Sequence, residues 1–168
     1  MNDNNILKIT GKRQLKALLY FICGTVLCLG VGFYFGFAEG YFVIYIPFFV
    51  LTEIPAIFLH IEYLSRNKGE EFELCGNKII KHKDGLETIY NSDEIKNITV
   101  YVSPNYFRND IYFTGFENYH FARITLNSGE TLYLTSLLAP GGIDKALSKY
   151  LKDVPFRKVK RLFSTTLY

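Results

Sequence analysis

Two long apolar runs, separated by a short polar break, most constrain the fold of this chain. Residues 17–37 contain no charged side chain, and residues 41–59 contain one, Glu53. As an α-helix the first run would be about 31 Å long, which matches the hydrocarbon core of a bilayer at about 30 Å. A buried helix of a soluble protein usually keeps a polar face, and the first run has none. We therefore predict a transmembrane helical hairpin that turns at residues 38–40.

A cleaved signal peptide is the main alternative for the first run, because the residues that precede it are basic. The run is longer than the apolar region of a signal peptide, and no convincing small-residue cleavage site precedes Glu39. A second apolar run also follows at once. An uncleaved membrane anchor is therefore the better prediction.

The distribution of charge predicts the orientation of the hairpin. The break between the two runs carries only Glu39, and Arg66 and Lys68 follow the second run. Positively charged loops stay in the cytoplasm. We expect a multi-pass protein of the cytoplasmic (inner) membrane, with both termini in the cytoplasm and residues 1–16 as a basic cytoplasmic tail. The basic residues of that tail are Lys8, Lys12, Arg13 and Lys16.

Small side chains recur every four residues along the first run, at Gly24, Cys28, Gly32 and Gly36. Residues four apart lie on the same face of a helix, and small residues there let another helix approach closely. The partner is either the second run of the same chain, or a second copy or another protein's helix. We therefore predict helix packing, and a protein partner or homo-oligomer through the hairpin.

Glu53 is the one charged side chain within the second run, and Pro47 and Pro55 flank it. Ionisable groups inside membrane spans are costly and tend to be functional. Glu53 is either part of a path for protons or ions, or a carboxyl group that reaches the interface or bonds a carbonyl freed by a proline. A conducting path needs several such groups, and this hairpin offers one.

Residues 71–154 have the pattern of a small strand-rich domain, joined to the hairpin by a connector at 60–70. Gly76-Asn77 and Asp84-Gly85 are two-residue hairpin turns, and apolar residues alternate over 98–102. We expect a loop at 103–110, a short strand at 111–114 and further strands at 119–126 and 131–135. Apolar residues at three- and four-residue spacing then predict an amphipathic helix over 143–154.

Residues 155–168 form a basic and aromatic tail. Its basic side chains alternate with apolar ones and are Arg157, Lys158, Lys160 and Arg161. Such a tail either contacts an anionic membrane surface, at about 1 kcal/mol per basic residue, or packs on the domain with its charges in water. The sequence of this segment is consistent with both.

No motif of a catalytic or cofactor site occurs in the sequence. It has no phosphate-binding glycine loop, no nucleophile elbow and no cluster of metal ligands, and its three cysteines have no paired spacing. The net charge of +3 is too small to indicate nucleic-acid binding. We predict a protein that is not an enzyme, binds no cofactor and has the lipid bilayer among its partners.

The order of the segments resembles the bacterial pleckstrin-homology-like membrane proteins. The likeness rests on the Gly76-Asn77 and Asp84-Gly85 hairpins, on the segment 124–138 and on the helix that follows it. It implies a membrane-anchored α+β fold, in which a PH-like antiparallel β-barrel of about seven strands is capped by a C-terminal helix. Eukaryotic pleckstrin domains bind phosphoinositides near their first hairpin, where this chain has a basic strand at 78–83, but alternate residues of a strand face opposite sides.

These features predict a non-catalytic, membrane-tethered interaction or regulatory module. Two alternatives remain. One is a membrane-disrupting effector gated by a cyclic nucleotide in the barrel, and the other is a membrane immunity protein. A cluster of convergent Arg or Lys side chains for a polyanion is not evident in the sequence, which favours the interaction module.

Overall fold

A computed structural model describes residues 6–37, 39–108, 110–112, 114–139 and 142–167. Helices α1 (Gly11–Tyr34) and α2 (Glu39–Arg66) form the hairpin. Both are long and apolar enough, by length and composition, to cross a membrane. The chain itself buries only 11% of the apolar window of α1 and 17% of that of α2, whereas the core helix of a soluble protein is mostly buried.

Both helices extend beyond the apolar runs at the ends that lie next to the sheets, which are the start of α1 and the end of α2. Thr10 caps α1, because its side chain accepts a hydrogen bond from the backbone N–H of Arg13 at 3.3 Å. The helix therefore begins at Gly11 instead of at residue 17. Helix α2 continues to Arg66, so most of the predicted connector at 60–70 is helical. The apolar runs predict which residues a membrane could cover, whereas capping and packing determine where each helix begins and ends.

The first sheet contains four antiparallel strands in the order β1-β2-β3-β4. The two predicted hairpin turns join β2 to β3 and β3 to β4, and all four of their residues have the positive φ that a tight hairpin favours. Strand β1 precedes the hairpin and pairs with β2, so the predicted tail at 1–16 contributes a strand to the domain. The strands are β1 (Ile6–Lys8), β2 (Glu70–Cys75), β3 (Lys78–Lys83) and β4 (Leu86–Asn91).

The second sheet has the order β7-β6-β5-β8, and β8 runs parallel to β5. A parallel pair needs a crossover, which here includes helix α4 (Ile143–Tyr150). The segment predicted as a tail at 155–168 therefore contains a strand. The strands are β5 (Ile95–Val102), β6 (Phe121–Leu126), β7 (Thr131–Thr135) and β8 (Phe156–Lys160).

The connection between β5 and β6 differs from its prediction. The expected loop at 103–110 contains a short helix, α3 (Pro104–Arg108), and a 3₁₀ turn follows at Gly115–Asn118. The expected strand at 111–114 does not form over its described residues, 111, 112 and 114. This segment lies against the hairpin, so contacts with the helices replace strand pairing.

The two sheets enclose one apolar core, which α4 covers with Ile143 and Leu147. Over the described residues no ladder joins the sheets into a closed barrel, so the predicted barrel of about seven strands is wrong in its closure. The reason lies at the strand edges. Closure would need an outer strand of the first sheet, β1 or β4, to pair with an outer strand of the second, β7 or β8, and no such pairing forms over the described residues.

Candidate functional site at the junction of hairpin and sheets

A second apolar cluster joins the hairpin to the sheets. It combines side chains of both helices with side chains of β5, β6 and the loops beside them, and every member is buried. The members are Ala17, Ala56, Leu59, Tyr63, Tyr101, Tyr119, Phe121 and Leu137. The inner ends of α1 and α2 are therefore part of the domain core, and the hairpin is fixed to the domain.

The 3₁₀ turn Gly115–Asn118 contacts both helices. A Cβ atom on Gly115 would lie 3.3 Å from Cβ of Ala56 and 3.5 Å from the backbone nitrogen of Phe21. A larger side chain at this position would have to push the turn away from the hairpin. Glycine thus allows the domain to approach the backbone of α1.

The segment after β8 lies along α2. The hydroxyl of Tyr63 donates a hydrogen bond to the backbone oxygen of Ser164. The hydroxyls of Thr165 and Thr166, and the backbone N–H of Thr166, donate to the carboxylate of Glu62. These bonds attach the end of the described chain to the hairpin.

Asn67, directly after α2, bonds the hairpin to the edge strand β7. Its side-chain amide donates to the backbone oxygen of Tyr133 at 2.8 Å and to Glu70 at 3.1 Å. Its side-chain oxygen accepts from the backbone N–H of Thr135 at 3.1 Å. One buried side chain therefore satisfies two backbone groups of an edge strand.

Replacing Asn67 with alanine should lower the free energy of unfolding by about 2–3 kcal/mol, because it leaves the buried N–H of Thr135 and the carbonyl of Tyr133 without partners. Denaturant unfolding in detergent measures this change. The neighbouring exposed residue supplies the control, since Lys68→Ala should change stability by less than about 0.5 kcal/mol. Equal effects of the two variants would contradict the role of Asn67.

A polar cleft of about 640 Å³ lies between α1, α3, α4 and β8. At its base the buried carboxylate of Asp144 accepts hydrogen bonds from Lys158 at 2.6 Å and from Tyr106 at 2.8 Å. Burial alone would raise the pKa of Asp144, but these two bonds, the positive charge of Lys158 and the backbone N–H of Lys145 together lower that pKa. Lys16 and Lys145 also line the cleft.

A smaller cleft, of about 270 Å³, lies between the sheets beside the basic strand β3. Here Lys81 and Lys83 approach the same oxygen of Glu70, at 2.8 Å and 3.2 Å. His82 lies on the other face of β3, 3.8 Å from Glu87. Burial would raise the pKa of Glu70, and its bonds to Lys81, Asn67 and Lys83 lower it instead. The basic side chains that resemble a phosphoinositide site thus have an internal partner.

Three of the four predicted helix-packing residues face α2. A Cβ atom on Gly24 would lie 3.1 Å from Oε1 of Glu53, and one on Gly32 would lie 2.8 Å from the ring of Tyr41. The hydroxyl of Tyr41 donates to the backbone oxygen of Cys28 at 2.7 Å. Gly36 instead lies in the turn beyond α1, with φ of +67°.

Glu53, the predicted intramembrane polar residue, lies between the two helices and is only 4% exposed. Its Oε2 atom has no hydrogen-bond partner in the described part of the chain. Along α2, Glu53 lies about one helical turn from Ala56, on the side away from the domain, and Ala56 itself contacts the domain. The carboxyl group therefore belongs to the hairpin interior, near the domain, and does not face the surroundings of the helices.

The four basic residues predicted to contact a membrane surface divide between the two faces of the second sheet. Arg157 donates to the side chain of Thr99 at 2.9 Å, and Lys158 bonds Asp144. The other two lie over aromatic rings, Lys160 over Phe107 at 4.4 Å and Arg161 over Tyr101 at 4.3 Å. Strand pairing of β8 separates them and prevents one continuous patch.

Sequence reasoning did not find Asn67, Glu62 or Tyr63, which together hold the junction. Each is an ordinary residue in its local context, and its partners are distant in the chain. The one available signal was the run of polar and aromatic residues directly after the second apolar run, at 60–67. Such a run indicates that a helix leaves the membrane and enters a folded domain.

The family comparison agrees with this architecture. A family model described as a PH domain matches residues 6–141, which include β1, both helices and strands β2 to β7. No curated protein matches the chain. The match begins at the first residue of β1, so the hairpin lies inside the matched region and is not an addition before it. Because the match covers most of the sequence, the chain belongs to the PH domain family.

Proposed function

We propose that this chain is a membrane-tethered, non-catalytic interaction module, in which the hairpin crosses the cytoplasmic membrane and the PH domain receives protein partners at its inner surface. The observation that carries the proposal is the contrast between the two ends of the hairpin. Its outer part exposes an apolar surface, and its inner part belongs to the domain core. Any partner bound to the domain is then held at the membrane.

The outer part of the hairpin has the surface of a lipid-facing pair of helices. Its exposed apolar side chains include Leu27, Val43, Ile44 and Leu51. A soluble monomer rarely exposes an apolar surface of this extent, whereas a bilayer covers it. The tip also carries packed aromatic side chains, among them Tyr34, Phe35, Tyr41 and Tyr45, as in the aromatic belts at membrane interfaces.

The domain's own pairing supports a cytoplasmic position for both ends of the hairpin. Strand β1 precedes α1 and β2 follows α2, and the two strands are paired. The residues on either side of the hairpin therefore lie on the same side of the membrane. Lys12 and Lys16 at the start of α1, and Arg66 and Lys68 after α2, favour the cytoplasmic side.

The clefts favour an interaction module over a sensor of anionic nucleotides. Lys81 and Lys83 bond Glu70, and Lys158 bonds Asp144. A polyanion could pair with these three lysines only by displacing a buried carboxylate, at the cost of leaving that carboxylate unpaired.

Cysteine labelling on sealed cells tests the proposal, because the native cysteines lie on both parts of the chain: Cys23 is exposed on α1 and Cys75 lies on β2. We expect a chain with Cys75 alone to react with a membrane-impermeant maleimide only after the cells are opened. A chain with Cys23 alone should react only after detergent is added.

A cysteine at the tip completes the design. Gly40 is exposed, and a Cβ atom there meets nothing within 4 Å, so Gly40→Cys fits without strain. In a chain without other cysteines it should react from outside sealed cells. Reaction of Cys23 in membranes without detergent would overturn membrane insertion, and failure of the tip cysteine to react from outside would overturn spanning.

A further inference from the structure

We propose that the PH domain has an apolar collar around the base of the hairpin, and that this collar is immersed in the interfacial layer of the inner leaflet. The collar consists of Ile111, Tyr112, Phe116, Leu162 and Phe163. The proposal rests on the proposed function, since it needs an inserted hairpin. It adds a second membrane-contacting surface, on the domain itself, which holds the domain in one orientation on the lipid.

The three aromatic residues of the collar, Tyr112, Phe116 and Phe163, pack at the base of the two helices. The ring of Tyr112 is 5.7 Å from that of Tyr20 on α1, and the ring of Phe163 is 5.9 Å from that of Phe58 on α2. Phe116 lies beside Phe163 at 6.3 Å. The collar therefore adjoins both helices near the level of Tyr20 and Phe58.

The length of the hairpin beyond the collar is too short to cross the hydrocarbon core alone. The helical rise is about 21 Å from Tyr20 to Tyr34 and about 26 Å from Phe58 to Tyr41. The hydrocarbon core measures about 30 Å. When the aromatic tip lies at the outer interface, the collar is drawn to the inner edge of the hydrocarbon.

The composition of the collar suits this depth. Ile111 is 78% exposed and Leu162 is 67% exposed, although both adjoin aromatic residues that pack on the hairpin. These two side chains continue the exposed apolar surface of the helices. Lipid that surrounds the helices at this level would therefore cover them as well. Interfacial segments typically bury their apolar faces about 5–10 Å into the boundary between head groups and acyl chains.

Basic side chains lie just beyond the collar on the side of the domain. Lys16 lies about 6 Å along α1 from Tyr20, toward the domain. It lines the polar cleft together with Lys145. With the collar at the edge of the hydrocarbon, these ammonium groups reach the depth of the lipid phosphates, where cations are favoured.

Single tryptophans measure this depth, because the natural chain contains none. The test variants are Ile111→Trp and Leu162→Trp. Val26→Trp, at a 64% exposed site on α1, reports insertion of the hairpin, and Leu86→Trp, at a 75% exposed site on β4, reports the domain surface away from it. Each variant is reconstituted in phosphatidylcholine–phosphatidylglycerol vesicles whose acyl chains are brominated either near the head group or near the terminal methyl.

We expect shallow bromines to quench tryptophan at 111 and 162 at least twofold more than at 86, with blue-shifted emission. Deep bromines should quench tryptophan at 26. If 26 is quenched while 111 and 162 behave like 86, the collar is overturned and the inserted hairpin stands. If 26 is not quenched either, both proposals fail. All four sites are exposed, so circular dichroism and elution volume equal to those of the parent chain verify that each variant folds.

Discussion

Replacing Tyr63 with alanine is expected to lower the free energy of unfolding by about 3–5 kcal/mol, the largest effect of any change considered in this chain. Tyr63 is fully buried where α2 meets the domain, and its ring packs edge-on against Tyr119 at 5.6 Å and Phe121 at 6.3 Å. Alanine leaves a cavity that rigid neighbours cannot fill. It also leaves the carbonyl of Ser164 without its donor.

Urea unfolding in detergent, followed by circular dichroism, measures this loss. Tyr63→Phe separates its two parts, because it keeps the ring and removes only the hydrogen bond to Ser164, at about 1–3 kcal/mol. The exposed Leu86 provides the control, and Leu86→Ala should change stability by less than about 0.5 kcal/mol. If Tyr63→Ala were as mild as Leu86→Ala, the hairpin would not be docked on the domain.

The same docking explains which parts of the fold could be predicted from the sequence. The turns at Gly76-Asn77 and Asp84-Gly85 depend on residues that tolerate positive φ, and both formed as predicted. The alternation at 98–102 placed β5 correctly. These features are encoded within a few neighbouring residues, so a sequence displays them directly.

Strands β1 and β8 could not be predicted in this way, because their existence depends on distant partners. Strand β1 has three residues, and its partner β2 lies beyond the whole hairpin. The helix predicted over 143–154 is shorter in the structure, since α4 ends at Tyr150. The carbonyl of Pro155 accepts the backbone N–H of Ile98 at 2.8 Å and starts the pairing of β8 with β5.

Some polar residues of the hairpin and its junction could be recognised from the sequence, and others could not. Glu53 was evident from the sequence because a charge inside an apolar run is rare. Asn67 and Glu62 are polar residues in a polar segment, and only their bonds to β7 and to residues 165–166 distinguish them. A sequence reveals a residue that differs from its neighbours along the chain. Asn67 and Glu62 do not differ in that way, and only their hydrogen bonds to distant segments set them apart.

The stability of the domain is expected to fall by about 2–3 kcal/mol between pH 7 and pH 4.5, with His120 as the main cause. This imidazole is fully buried, and burial lowers its pKa to about 4, although Asn118 and Asp144 act in the opposite direction; Lys158 adds to the lowering. Nδ1 donates to the backbone oxygen of Asn118 at 3.1 Å, and Nε2 faces the N–H of Ile143 at 3.5 Å. The folded chain therefore holds the ring neutral.

The free energy of unfolding falls on acidification because His120 binds its proton more weakly in the folded chain than in the unfolded chain. In the unfolded chain histidine takes up a proton below about pH 6.5, whereas in the folded chain His120 does so only near pH 4. Between these values the unfolded state binds more protons, so stability is complete above pH 6.5 and is lost as the pH falls toward 4. Glu70 and Asp144 have lowered pKa values, and their contributions are lost only below about pH 4.5.

Urea unfolding at a series of pH values tests this expectation. His120→Gln removes the titrating ring and should be less stable than the parent at pH 7, but it should lose at least about 2 kcal/mol less on acidification to pH 4.5. The partly exposed His82 provides the matched control, and His82→Gln should keep the full pH dependence of the parent. An unchanged pH dependence in His120→Gln would show that His120 takes up its proton as readily in the folded domain as in the unfolded chain, which would require helix α4 and the ring of Tyr106 to move away from it.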